Sequence, residues 1–119
     1  MIINSLWGIY NGKKKLSPIK PGDILLEEFI EPMNISKNQL AKDINVPPNR
    51  ISQIINGKRE ITFDTALRLG QYFNIEPEFW INLQTRYNMK KARDSIGVKI
   101  KKEVKARFSD PRQSGLSLA

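Results

Sequence analysis

The chain has no cysteine and no histidine. Without cysteine there is no disulfide, no thiolate nucleophile and no zinc–thiolate site. Without histidine the commonest general base near neutral pH and the commonest transition-metal ligand are both missing. The seven glycines stand at 8, 12, 22, 57, 70, 97 and 115 and form no phosphate-cradling loop. No apolar run approaches the roughly 20 residues that span a bilayer. The apolar start, Met1 to Tyr10, is followed rather than preceded by its basic cluster, Lys13-Lys14-Lys15, which is the wrong order for a secretory signal. These absences point away from an enzyme, a cofactor carrier and a membrane protein. The expected location is the cytoplasm.

What is present is positive charge. Lysine and arginine total 20 against 12 acidic residues, a net +8 over 119 residues. That balance favours a polyanionic partner such as DNA, RNA or an anionic membrane surface. The charge is also segregated. Residues 21–32 carry four negatives and no positive, while residues 33–60 carry five positives and two negatives. Residues 86–107 carry nine positives and two negatives, which suits a DNA backbone, an acidic partner or a merely solvated face.

The chain divides into an N-terminal arm (1–20), a helical unit (21–96) and a basic tail (97–119) whose polar end, 109–119, reads as disordered. Five helices are expected between 21 and 96. The first opens at Pro21-Gly22-Asp23 and stops before Pro32, with an uneven apolar period. The second starts after Ser36, a good N-cap, and buries Leu40, Ala41 and Ile44. The third has Pro48 at its first position, buries Ile51 and Ile54, and ends at Gly57. The fourth is capped by Thr62, has Asp64 in its first turn and runs to Phe73. The fifth takes Pro77 at its start and repeats Phe79, Trp80, Leu83 and Tyr87 at helical spacing. Trp80, Leu83 and Tyr87 form the fifth helix's apolar side, serving either this core or a dimer contact. Val98–Phe108 fits both helical spacing and strand alternation.

Helices two and three, about residues 36–59, read as a helix-turn-helix. Small Ala41 lets the helices approach, Asn45 suits the positive φ of a tight turn, and Val46 plugs the angle. Burial of the isoleucines leaves Asn49, Arg50 and Gln53 on the outer face. Asn and Gln pair bidentately with adenine, Arg with guanine. Lys37, Ser52, Lys58 and Arg59 flank that face and suit phosphates.

The residues Pro21-Gly22-Asp23-Ile24-Leu25 with Glu27-Glu28-Phe29, Asn56-Gly57-Lys58-Arg59-Glu60-Ile61-Thr62, Thr65-Ala66-Leu67-Arg68-Leu69 and Pro77-Glu78-Phe79-Trp80-Ile81-Asn82-Leu83-Gln84 with Tyr87 carry a more specific signal. Over about residues 20–94 the chain resembles the HigA, or VapI-type, antitoxins of the Xre/lambda-repressor-like class. The resemblance implies an all-α, five-helix lambda-repressor-like DNA-binding domain, usually a homodimer that binds operator DNA. It also implies a RelE-like HigB toxin, a ribonuclease, as partner, and repression of the shared operon. By position it puts Pro48, Asn49, Arg50 and Gln53 where the class meets bases, and Lys37 where the class often has a phosphate-binding Gln. Pro47-Pro48 departs from the usual polar opening and removes two N–H donors.

The arm lies outside the secure match. Its Leu6, Trp7, Ile9 and Tyr10 suit either a toxin contact, where aromatics dominate, or packing on the protein's own core. Three rival readings differ in kind: a solitary Xre-type regulator without a toxin, a protein-binding module that does not read DNA, and a small basic nuclease, which needs a sheet that residues 21–96 show no sign of.

Overall fold

The computed structural model describes residues 18–108, and among these it contains helices and no strand. The arm residues Leu6, Trp7, Ile9 and Tyr10 and the polar end 109–119 lie outside the described residues. Helix α1 (Pro21–Ile24) runs directly into a π-helical segment, Leu25–Ile30; then follow α2 (Lys37–Asp43), α3 (Pro48–Ile55), α4 (Phe63–Phe73) and α5 (Pro77–Glu103). No helix among the described residues is long and apolar enough to cross a membrane.

The π-helical turns explain the uneven apolar period of the first helix. Its wider i→i+5 pattern is seen directly where Glu31 N–H donates to Leu26 O at 2.9 Å. That spacing stacks Ile24 over Phe29 and Leu25 over Ile30, and all four are buried.

Local chemistry ends each of the other helices. Ser36 Oγ accepts the Gln39 N–H at 2.9 Å, and Thr62 Oγ1 accepts the Thr65 N–H at 3.3 Å. Pro48 and Pro77 open α3 and α5, where a missing N–H costs nothing. At the exits the chain turns through the left-handed region at Asn34, Asn45, Gly57 and Asn74. Asparagine tolerates that region better than other side chains that carry a Cβ.

One core joins these elements. Leu40, Ala41 and Ile44 from α2 meet Ile51, Ile54 and Ile55 from α3, with Ile61 in the following loop and Ala66 and Leu69 from α4. Trp80 and Leu83 of α5 close it from below, and Tyr87 is half-buried. Phe29, Phe73, Phe79 and Trp80 form an aromatic cluster with centroids 4.9 to 6.1 Å apart. The Trp80 indole N–H is buried without a partner among the described residues. Burying the ring itself removes about 200 Å², which stabilises by about 5 kcal/mol. The orphaned donor costs about 1–3 kcal/mol, so packing wins.

Two close contacts set the helix spacing. A Cβ on Gly22 would meet Ile54 O and come within 2.6 Å of Ile55 Cα, so α1 lies directly on the backbone of α3. Gln84 is buried, and its Oε1 accepts the Ile61 N–H at 2.9 Å. Its Nε2 donates to Asn88 Oδ1 at 3.1 Å, and Asn88 Nδ2 donates to Glu60 Oε2 at 3.3 Å. The loop leaving α3 is thereby tied to α5.

The expected helix at 77 continues to Glu103, so of the two readings of Val98–Phe108 the helical one holds as far as that residue. Beyond Tyr87 the apolar side of α5 changes. Met89, Ile96 and Ile100 are about half exposed. At about 100° per residue they stand half a turn from Trp80 and face away from the core. Salt bridges Lys90–Asp94 and Lys99–Glu103, both i,i+4, lace this outer half.

Two substitutions test these contacts by denaturant unfolding. Gly22→Ala forces α1 off α3 and is expected to destabilise by about 1–3 kcal/mol. Gln84→Leu keeps the volume but strands the buried Ile61 N–H, with an expected loss of about 1–3 kcal/mol. An unchanged midpoint in either case shows that the contact carries no weight.

Candidate nucleic-acid interface

The α2–α3 pair is a helix-turn-helix with both ends of its turn fixed. Asn45 takes φ +61°, the Val46 N–H donates to Ala41 O at 3.0 Å, and the Asn45 N–H to Lys42 O at 3.1 Å. The chain then extends through Pro47 and enters α3 at Pro48. Val46 is half-buried against the core.

With Ile51, Ile54 and Ile55 buried, the other side of α3 faces out. Pro48 and Asn49 are exposed, while Arg50, Ser52 and Gln53 are half-exposed. Lys37 is exposed at the start of α2, and Lys58 and Arg59 are exposed just past α3. Basic residues thus bracket the polar face at both ends. Gln53 is not wholly free to meet a base, because its Oε1 accepts the Arg59 Nε–H at 2.9 Å. Sequence alone assigns Gln53 to a base and Arg59 to a phosphate. The structure joins them, since Gly57 at φ +77° folds the chain back and the Lys58 N–H closes onto Gln53 O at 2.8 Å.

Three positioning residues escaped the sequence reading. Arg68, on α4, donates through Nη1 to Ile44 O at 2.9 Å and to Asn45 O at 3.4 Å. It thereby satisfies carbonyls that the end of α2 leaves open. Asp64, one turn earlier, holds Arg68 Nε at 3.1 Å. Tyr72 OH donates to Asp43 Oδ2 at 3.1 Å, and Asp43 Oδ1 accepts from Gln39 Nε2 at 2.7 Å. Gln84 anchors the far end of the unit through Ile61. Only Gln84 gave a sequence signal, as a polar residue one turn from Trp80 on an apolar face. Arg68 and Tyr72 reach across 24 and 29 positions.

The helix-turn-helix family profile matches residues 26–80. Virulence-associated protein I of Dichelobacter nodosus is 47% identical over 81 residues, covering 68% of this chain and 75% of that protein. The chain belongs to the HigA/VapI family. An addiction module antidote protein of the HigA family from Coxiella burnetii is 50% identical, with a TM-score of 0.73 over 76% of this chain and 99% of its own. Antitoxin HigA of Pseudomonas aeruginosa, solved with the higBA promoter, is 36% identical with a TM-score of 0.74, covering 76% and 99%. The all-α, five-helix architecture expected from sequence is therefore the HigA fold, and the antitoxin resemblance is a family membership.

The Tyr72–Asp43 contact makes a pH prediction for this HigA-family domain. Partial burial of the phenol, then its hydrogen bond to Asp43 and the negative charge there, raise the Tyr72 pKa above 10.0. A raised pKa means that the fold favours the neutral phenol. Its contribution to stability is complete below pH 10 and is lost as pH rises through the folded-state value. Stability of the wild type should therefore fall above pH 10 more steeply than that of Tyr72→Phe. Equal slopes in alkaline unfolding curves remove the effect.

Proposed function

We propose that the protein is a sequence-specific DNA-binding repressor that acts as the antitoxin of a toxin–antitoxin module. It neutralises a RelE/HigB-like ribonuclease toxin and represses its own operon. The carrying observation is the division of α3 into a buried isoleucine side and an exposed polar side bracketed by cations. Relatives support the reading. One is an antidote protein of an addiction module, and another was solved with its promoter.

The roles follow from chemistry. Asn49 offers a bidentate amide to adenine and Arg50 a bidentate fork to guanine. Gln53 reads a base with its amide nitrogen while Arg59 holds its oxygen. Pro48 has no N–H and offers only its ring, which suits a thymine methyl. Lys37, Ser52, Lys58 and Arg59 meet phosphates, which set register but carry no sequence information.

Operator binding as a homodimer completes the proposal. The exposed stripe of Met89, Ile96 and Ile100 supports it, because nothing among the described residues covers them. A two-fold dimer on one face of the duplex places its half-sites about 34 Å apart.

The test is a mobility shift with the duplex upstream of the protein's own reading frame beside a scrambled one, at about 50 and about 200 mM salt. The wild type should prefer the native duplex and weaken steeply with salt. Arg50→Ala/Gln53→Ala should lose about 1–3 kcal/mol per lost base contact and keep the salt dependence. A wild type with no preference over scrambled DNA overturns the repressor reading.

A further inference from the structure

A second basic feature lies beyond the C-terminal end of α3 and holds none of the base-reading residues. It is a concavity of about 260 Å³ between the entry to α1, the loop after α3 and the middle of α5. Lys20, Lys58, Arg59 and Lys91 line it, and all four are exposed. They come from three segments far apart in sequence, so the fold, not a local charge run, brings them together.

Four like charges around one hollow repel unless something compensates them. Arg68–Asp64, Lys90–Asp94 and Lys99–Glu103 are ion pairs, and none of these pairs involves the four. Glu60 is the single acid on the wall, and its Oε2 accepts from Asn88. Two of the cations are also held in place. Arg59 is fixed through Nε to Gln53, which leaves its terminal nitrogens to donate elsewhere. Lys91 is held over the Tyr87 ring with Nζ 5.0 Å from the centroid, an attraction that keeps the ammonium at the wall.

Four converging cations against one carboxylate, two of them held in place, are a seat for an anion. The hollow adjoins the loop that borders the recognition helix, so the anion that reaches it is the nucleic-acid backbone leaving the groove. We propose that this concavity is a phosphodiester seat, in which Lys20 and Lys91 hold the DNA backbone beyond the phosphates met by Lys58 and Arg59. The inference rests on the DNA-binding reading and lengthens its footprint from the helix-turn-helix onto α5.

The experiment is a fluorescence-anisotropy titration of the full chain over a salt series, on the promoter duplex and on a random-sequence duplex. Wild type is compared with Lys20→Ala/Lys91→Ala and with Lys90→Ala/Lys99→Ala. The last removes the same charge from two lysines that already have carboxylate partners outside the concavity. Each lost phosphate contact lowers the slope of log K against log salt by about 0.9. The Lys20/Lys91 variant should therefore lose about one to two units of slope on both duplexes, with its sequence preference intact. The Lys90/Lys99 variant should lose clearly less. Equal losses in the two variants, or no loss in the first, overturn the seat. A wild type that prefers neither duplex overturns the operator reading, while the slope difference on random DNA still decides the seat. No binding to either duplex overturns both.

Discussion

An eight-residue helix is too short to hold its shape in water, where isolated helices below about 12–15 residues are marginal. α3 is that short, and it has no side-chain N-cap. Its stability and its aim come from what it packs against. The isoleucines at 51, 54 and 55 seat it on α2 and the core, and the bare backbone at Gly22 lets α1 press against its last turn. The outer side of α3 can be wholly polar only because the inner side is held so closely.

The other helices serve as braces for this contact. Arg68 from α4 closes the carbonyl end of α2, and Tyr72 holds Asp43 beside it. Gln84 from α5 pins the loop that leaves α3. Each is a modest hydrogen bond, worth about 0.5–1.5 kcal/mol when made. Losing one partner costs more where the other is buried, so the Gln84–Ile61 bond matters most. The aromatic cluster around Trp80 supplies the bulk stabilisation, and these polar ties fix the geometry.

Much of this was readable in the sequence because it is local chemistry. Ser36, Thr62, Pro48, Pro77, Asn45 and Gly57 each declare a helix end through a side chain or a backbone preference that acts within a few residues. The division of α3 into apolar and polar sides follows from period alone. The π-helical turns of Leu25–Ile30 showed only as an irregular period, since the choice between i→i+4 and i→i+5 is made by the core they pack on. The Arg68 and Tyr72 contacts had no local signal. Helical i,i+4 spacing links Arg68 only to Asp64, and the carbonyls it also meets lie at the end of another helix. The Gln53–Arg59 bond depends on how sharply Gly57 turns, which sequence leaves open. The concavity of Lys20, Lys58, Arg59 and Lys91 is likewise a product of assembly, visible in the sequence only as excess charge.

The half-turn change of apolar side along α5 has a further consequence. Up to Tyr87 the helix is fastened to its own domain, and past Met89 its oily residues look outward. The outer segment is held by its own backbone bonds and two surface ion pairs, each worth a few tenths of a kcal/mol. Its order therefore depends on whatever covers the stripe. When the cover is a second molecule, mass action governs it. Helicity in this one segment would then rise with protein concentration, while the domain that carries the recognition helix keeps a core of its own.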